Sequence, residues 1–270
     1  MKWRVWDVTR RRFIDIDALF AEIVHARFLL LGEIHTNADH HKLQALLLAR
    51  LIKMKRCPTV CFEMLDTTAQ TKIDKYLAQK TRSAAGFGKA VGWDLQWNPE
   101  YSMYRPIFDV AIPHRLKIVA ANSPKSEVKR VVQEGIGILP QAIVSNLPGL
   151  TKPFPRRYRE ALAQVIWAAH FGNTPIGNTP NISREMKKLR NGMVEAQRLR
   201  DAAMAAALLK TDSNKVGVLI AGNGHVRVDG GVPYYLRDAA DSAAIVSVGL
   251  LEEANNRLDN LLYDFACFVA

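Results

Sequence analysis

Phe28-Leu29-Leu30-Leu31-Gly32-Glu33-Ile34-His35 decides the fold. An apolar run gives way, at a glycine, to a carboxylate and an imidazole. A run this short between turn-forming residues reads as a buried strand. The design recurs. Val60-Cys61-Phe62 ends at Glu63, and Ile118-Val119-Ala120-Ala121 ends at Asn122. Val218-Leu219-Ile220-Ala221 ends at Gly222-Asn223-Gly224-His225. Helical spacing separates these runs, as in Leu43, Leu46, Leu47 and Leu51. Strand, helix, strand in this order implies βαβ units and a three-layer α/β fold with a mostly parallel sheet. Ligands of such sheets bind beyond the carboxyl ends of the strands. The sequence therefore predicts that Glu33, His35, Glu63 and His225 gather in one cleft.

Working outward, strands are expected at 27–32, 58–63, 117–122, 216–222 and 243–249. Helices are expected at 15–26, 37–55, 67–80, 98–114, 182–210 and 252–262. Gly86, Gly88 and Gly92 read as a loop. Prolines at 140, 148, 153 and 155 set the segment 136–181 apart as a helical lobe, inserted in a single domain spanning 1–270. The lobe ends in two successive Gly-Asn-Thr-Pro units at 172–180, which read as a mobile loop placed where a lid could sit.

The chain has 270 residues and a net charge of +11, which favours nucleic acid, an anionic membrane surface or acidic small molecules. No nucleic-acid motif accompanies the charge, and no aromatic and basic residues interleave as a stacking platform. Nucleic acid is therefore not expected as a partner, and membrane-surface association stays open. Cys57, Cys61 and Cys267 make no disulfide framework, and Cys57 and Cys61 read as small core hydrophobes. No stretch reaches the ~18 apolar residues needed to cross a membrane. The N-terminus lacks a signal-peptide pattern, so the chain as it stands is expected in the cytoplasm; a removed leader would place it in the periplasm or on a membrane anchor.

Glu33 and His35 share one side of an extended chain and could bind a divalent ion or act as base and stabiliser. Glu63, ending an apolar strand, needs a partner. His225 follows two glycines that free the backbone to meet an anion. Of the adjacent His40 and His41, one is expected to pack and the other to be exposed. Tyr101 and Tyr104 share a helix face, and tyrosine is an established ligand of ferric haem. Met193, Gln197, Arg200 and Met204 form one face of the long helix. That stripe suits a flat apolar ligand with acidic edges, or an arginine buried against Glu33 or Glu63.

LLLGEIHTNADHHKLQ, CFEMLD, YRPIFDVA, AANSP, MVEAQRLRDAAMA and AGNGHVRVDGGVPYYL, from about Phe28 to Leu236, together resemble the ChaN family of haem-binding, iron-regulated proteins. The resemblance implies an α/β fold, haem uptake or handling, homodimerisation around haem, and a tyrosine on the haem iron. Tyr104 matches the family's Tyr-x-Pro-Ile element and is the first candidate, with Tyr101 second. Near the long helix, His170 or Arg200 would meet the propionates. The broader superfamily includes erythromycin esterases and Tiki-type metalloproteases, which implies the alternative of a hydrolase. Glu33, His35, Glu63 and His225 would then be catalytic, with Glu63 or His225 as base and a divalent metal ion in place of haem.

Overall fold

The computed structural model describes residues 3–171, 183–239, 245–252, 258 and 261–269. Its strands are β1 (Trp3–Asp7), β2 (Arg12–Ile14), β3 (Phe28–Leu31), β4 (Thr59–Asp66), β5 (Lys117–Asn122), β6 (Gly217–Ile220), β7 (Ile245–Glu252) and β8 (Phe265–Val269). They form one sheet in the order β2-β1-β8-β7-β3-β6-β4-β5. From β8 to β5 all neighbours are parallel, whereas β1 pairs antiparallel with β8 and β2.

Side-chain alternation forces a layer on each face of this sheet. Leu29 and Leu31 enter one core; Phe28 and Leu30 enter the other. The first core is covered by α1 (Ile16–Ile23), α2 (Ala38–Lys53), α3 (Gln70–Leu77), α4 (Ala84–Val91), α5 (Trp93–Gln96) and α6 (Tyr101–Ala111). The second is covered by α7 (Lys125–Glu134) and α8 (Gln141–Val144), with α10 (Arg184–Leu209) and α11 (Val232–Ala239). The lobe helix α9 (Arg156–Phe171) builds a small cluster of its own with Phe154 and with Val194 of α10. Among the described residues, no helix is long and apolar enough to cross a membrane.

Five of the six parallel strands, β3 to β7, fall where strands are expected from the sequence; the sixth, β8, and the antiparallel β1 and β2 are additions. The glycine loop at 86–92 is instead helix α4. Gly88 is small because the Tyr101 ring lies there; an added Cβ would sit 2.5 Å from it. Gly92 ends the helix in a left-handed conformation, φ +73°. Strand β7 continues to Glu252, and most of the helix expected over 252–262 lies outside the described residues, as does the whole 172–180 loop. Cys61 and Cys267 are buried, but Cys57 is exposed. At the β5 edge, the Gln70 amide donates to the Ile118 carbonyl (3.2 Å) and accepts from the Ala120 N–H (2.8 Å).

Helices α7 and α10 approach through Gly192. A Cβ there would meet the Val132 carbonyl oxygen at 1.9 Å, a backbone atom that cannot swing aside. Gly192→Ala should therefore destabilise the protein by about 2 kcal/mol through overpacking. A denaturant midpoint unchanged by circular dichroism would contradict this.

Candidate functional site

Each strand end delivers its polar residue for a local reason. Glu33 follows β3, and the Asn37 side chain starts α2 by accepting from the N–H groups of Asp39 and His40. Between them, Gly32 passes so close to Asn223 that a Cβ would lie 2.2 Å from its Oδ1. Register between β4 and β5 shifts after Phe62, so Glu63 leaves the regular ladder, as residues at bulges do. Gly222, after β6, lies against the His35 ring; a Cβ would sit 2.8 Å from Nε2.

The result is a connected ionic floor. Glu33 is 2% exposed. Its Oε1 accepts from the Tyr104 hydroxyl (2.5 Å) and lies 2.8 Å from His35 Nδ1. Its Oε2 accepts from Gln44 Nε2 (3.0 Å) and lies 3.4 Å from His41 Nε2. Glu63 Oε1 accepts from Arg200 and lies 3.2 Å from His225 Nε2 and 3.9 Å from His35 Nε2. Its Oε2 accepts from the Gly222 N–H (2.6 Å). The anion met by the glycine turn is thus the protein's own carboxylate. Asp201 Oδ1 sits 2.5 Å from His225 Nδ1, and the Gln197 amide lies 2.9 Å from the same nitrogen.

Burial alone would raise the Glu33 carboxyl, but its contacts with His35 and His41 hold it down to about 2. Burial likewise opposes ionisation of Glu63, and His225 and Arg200 overcome it, keeping Glu63 well below the usual carboxylate range. For His225, burial favours the neutral ring, yet Glu63 and Asp201 raise it to about 9. His225 is therefore an imidazolium at neutral pH. His35 is raised too, against burial, by Glu33 and Glu63. Burial lowers His40 to about 4; its Nδ1 accepts from the Ile34 N–H (3.0 Å).

Above this floor opens a cleft of about 790 Å³, lined by Glu33, His35, Glu63 and His225 together, with Gln197 and Arg200 beside them. That volume suits a small-molecule or cofactor site. One wall is apolar: Leu162, Val165 and Ile166 of α9. Trp97 lines the cleft as well, its ring edge-on to His35 at 4.9 Å.

The remaining candidates are placed elsewhere. Tyr104 is fully buried, its hydroxyl donates to Glu33, and burial with the Glu33 charge raises its pKa. It does not line the cleft. Tyr101 donates to the Ala84 carbonyl (2.6 Å), also away from the cleft. Met204 belongs to the second core and Met193 to the lobe cluster. Arg200, by contrast, lines the cleft with its Nε and Nη2 engaged by Asn122 and Glu63. The His170 side chain lies outside the described residues. Both His40 and His41 are buried, so neither is the exposed member of the pair. Among the described residues, no group of three or more His, Cys, Asp or Glu is arranged to hold a metal ion. Asp201, Gln44 and Trp97 were not singled out as site residues. Asp201 carries a readable signal, four positions after Gln197 and thus on its helix face.

The sequence pattern of the haem-binding uptake family, Tiki superfamily, ChaN, matches residues 19–236. Among curated proteins, none matches the chain. A structure of cofacial haem binding to ChaN of Campylobacter jejuni is similar at 24% identity, over 98% of this chain and 96% of that one, with a TM-score of 0.79. The type III effector HopBA1 is 11% identical over 94% and 91% of the two chains, TM-score 0.49. An erythromycin esterase EreC mutant is 13% identical over 93% and 77%, TM-score 0.46.

The ionic floor sets the pH range of stability. The Glu33 contribution is complete above its ordinary 4.5 and is lost as pH falls through about 2. That of His225 is complete below 6.5 and is lost as pH rises through about 9. The contribution of Asp201, raised to about 6, is lost as pH rises from 3.8, so thermal melting should peak near pH 4.5 and fall on both sides, most steeply above 6.5. Glu33→Gln should cost about 3 kcal/mol at neutral pH and flatten the acid limb; an acid limb as steep as wild type would refute the assignment.

Proposed function

The chain belongs to the haem-binding uptake family of the Tiki superfamily, ChaN, and we propose that it carries haem in the cleft between the strand ends and α9. One observation carries the placement. Val165 is 44% exposed on an apolar helix face that fronts the ionic floor across the cleft. With Leu162 and Ile166 it gives the cleft an apolar wall opposite a few polar groups, the make-up of a small-molecule site. The floor supports a carrier rather than a hydrolase. Its bases are already engaged: His225 is protonated at neutral pH, and both Glu63 oxygens accept hydrogen bonds.

The tyrosine ligand implied by the resemblance needs an accessible hydroxyl, which Tyr104 and Tyr101 lack. Tyr158 is a third candidate: it is less enclosed than Tyr104, but it too lies outside the cleft lining and packs with Phe154 and Tyr234. It is half-buried on α9, at i, i+4 and i+7 with Leu162 and Val165, and so shares their face. Its hydroxyl accepts from Arg157 (2.7 Å). Haem supplies the open iron coordination site; Tyr158 would hold it while Leu162, Val165 and Ile166 exclude water from the ring. A second protomer over the mouth would bury Val165, in keeping with the cofacial haem binding of the Campylobacter protein.

Titration with ferric haem should give a saturable Soret band with a tyrosinate charge-transfer feature. Tyr158→Phe should remove that feature and Tyr104→Phe should keep it. A spectrum unchanged in Tyr158→Phe but altered in His35→Ala would move the ligand to His35. No spectral response from the wild-type protein would refute haem binding altogether.

A further inference from the structure

We propose that the first turns of α7 are the carboxylate-anchoring wall of the cleft. Haem then lies with its propionates against Ser123, Lys125 and Lys129 and its ring against α9. This inference rests on the haem reading and adds to it the orientation of the ligand.

Four observations converge on this wall. Lys125 and Lys129 are spaced i, i+4 on α7, are exposed, and both line the cleft. Lys129 makes no ion pair or hydrogen bond among the described residues, and Lys125 donates only to the Leu95 carbonyl (2.9 Å), leaving ammonium protons for another acceptor. Helix α7 starts at Pro124 without a side-chain cap, so its first N–H groups remain donors in search of an acceptor. Ser123, immediately before, is 5% exposed and lines the cleft. Its N–H donates to Asn122 Oδ1 (2.9 Å), while its hydroxyl has no partner among the described residues. That hydroxyl opens onto the cleft and can donate to, or accept from, a ligand atom.

The other sides of the cleft exclude an anion. In the floor, the cationic groups already face Glu33 and Glu63, so their charge is engaged. The α9 wall is apolar and cannot solvate it. Arg200 is held by Glu63 and Asn122. The acid of α7's first turn, Glu127, does not line the cleft; it lines a separate groove with Val119 and Ile143.

The test compares ferric haem with its dimethyl ester, which keeps ring and iron but lacks the carboxylates. Soret titrations would use the wild type, Ser123→Ala, and the double variant Lys125→Gln/Lys129→Gln. The double variant should bind haem about tenfold more weakly, on the order of 1.4 kcal/mol, and the ester unchanged. The wild-type preference for haem over ester should shrink as salt rises. Equal loss for both ligands, or no loss for either, overturns the subsite. Wild-type binding of both ligands alike overturns only the orientation, whereas binding of neither overturns the haem reading itself.

Discussion

The Glu63 carboxylate is the constraint on which the site depends. It is buried, ionised and held from three directions: the Gly222 amide after β6, Arg200 on α10 and His225 beyond the glycine turn. An unpaired carboxylate in that position would cost several kcal/mol, so these elements must close around it for the fold to be stable. Glu63 thereby ties the sheet to the long helix and fixes the two ends of the cleft relative to each other. The cavity is open because its floor is rigid: the strand ends are pinned to one another through charge and cannot collapse into the space above.

The charge arrangement also bears on chemistry. A general base must be able to take a proton near neutral pH. Here Glu33 and Glu63 are held down and His35 and His225 held up, each by the other, while burial raises Asp201 to about 6. The same residue types at the same strand ends would serve hydrolysis if the mutual contacts were loosened. The difference between a scaffold and a catalyst at this location is one of contact geometry, and composition alone is silent on it.

Much of this was legible in the chain. Glu33, His35, Glu63 and His225 announce themselves because each closes an apolar run, and strand-end position is a one-dimensional signal. The layers followed from the same runs, since Phe28, Leu29, Leu30 and Leu31 leave no face free of apolar side chains. What was not legible depends on partners distant in sequence. Tyr104 and Tyr101 share a helix face, but only packing against α2 and α4 shows that this face points inward. Gly88 reads as a loop residue until the Tyr101 ring is placed over it. β8 becomes a strand only beside β7 and β1. Asp201 gains meaning from His225, in a turn more than twenty residues further along the chain.

The Gln70 amide at the border of β5 has a consequence for life in a crowded cell. A strand with free N–H and C=O groups is a template on which other chains can add, and parallel sheets expose such borders during slow folding. Gln70 occupies one donor and one acceptor of β5 with its own side chain, an imitation of the next strand that cannot itself be extended. The opposite border differs: β2 is only three residues long and begins at Arg12, so it offers few free backbone groups to another chain. The sheet is thus closed at one end by mimicry and at the other by brevity.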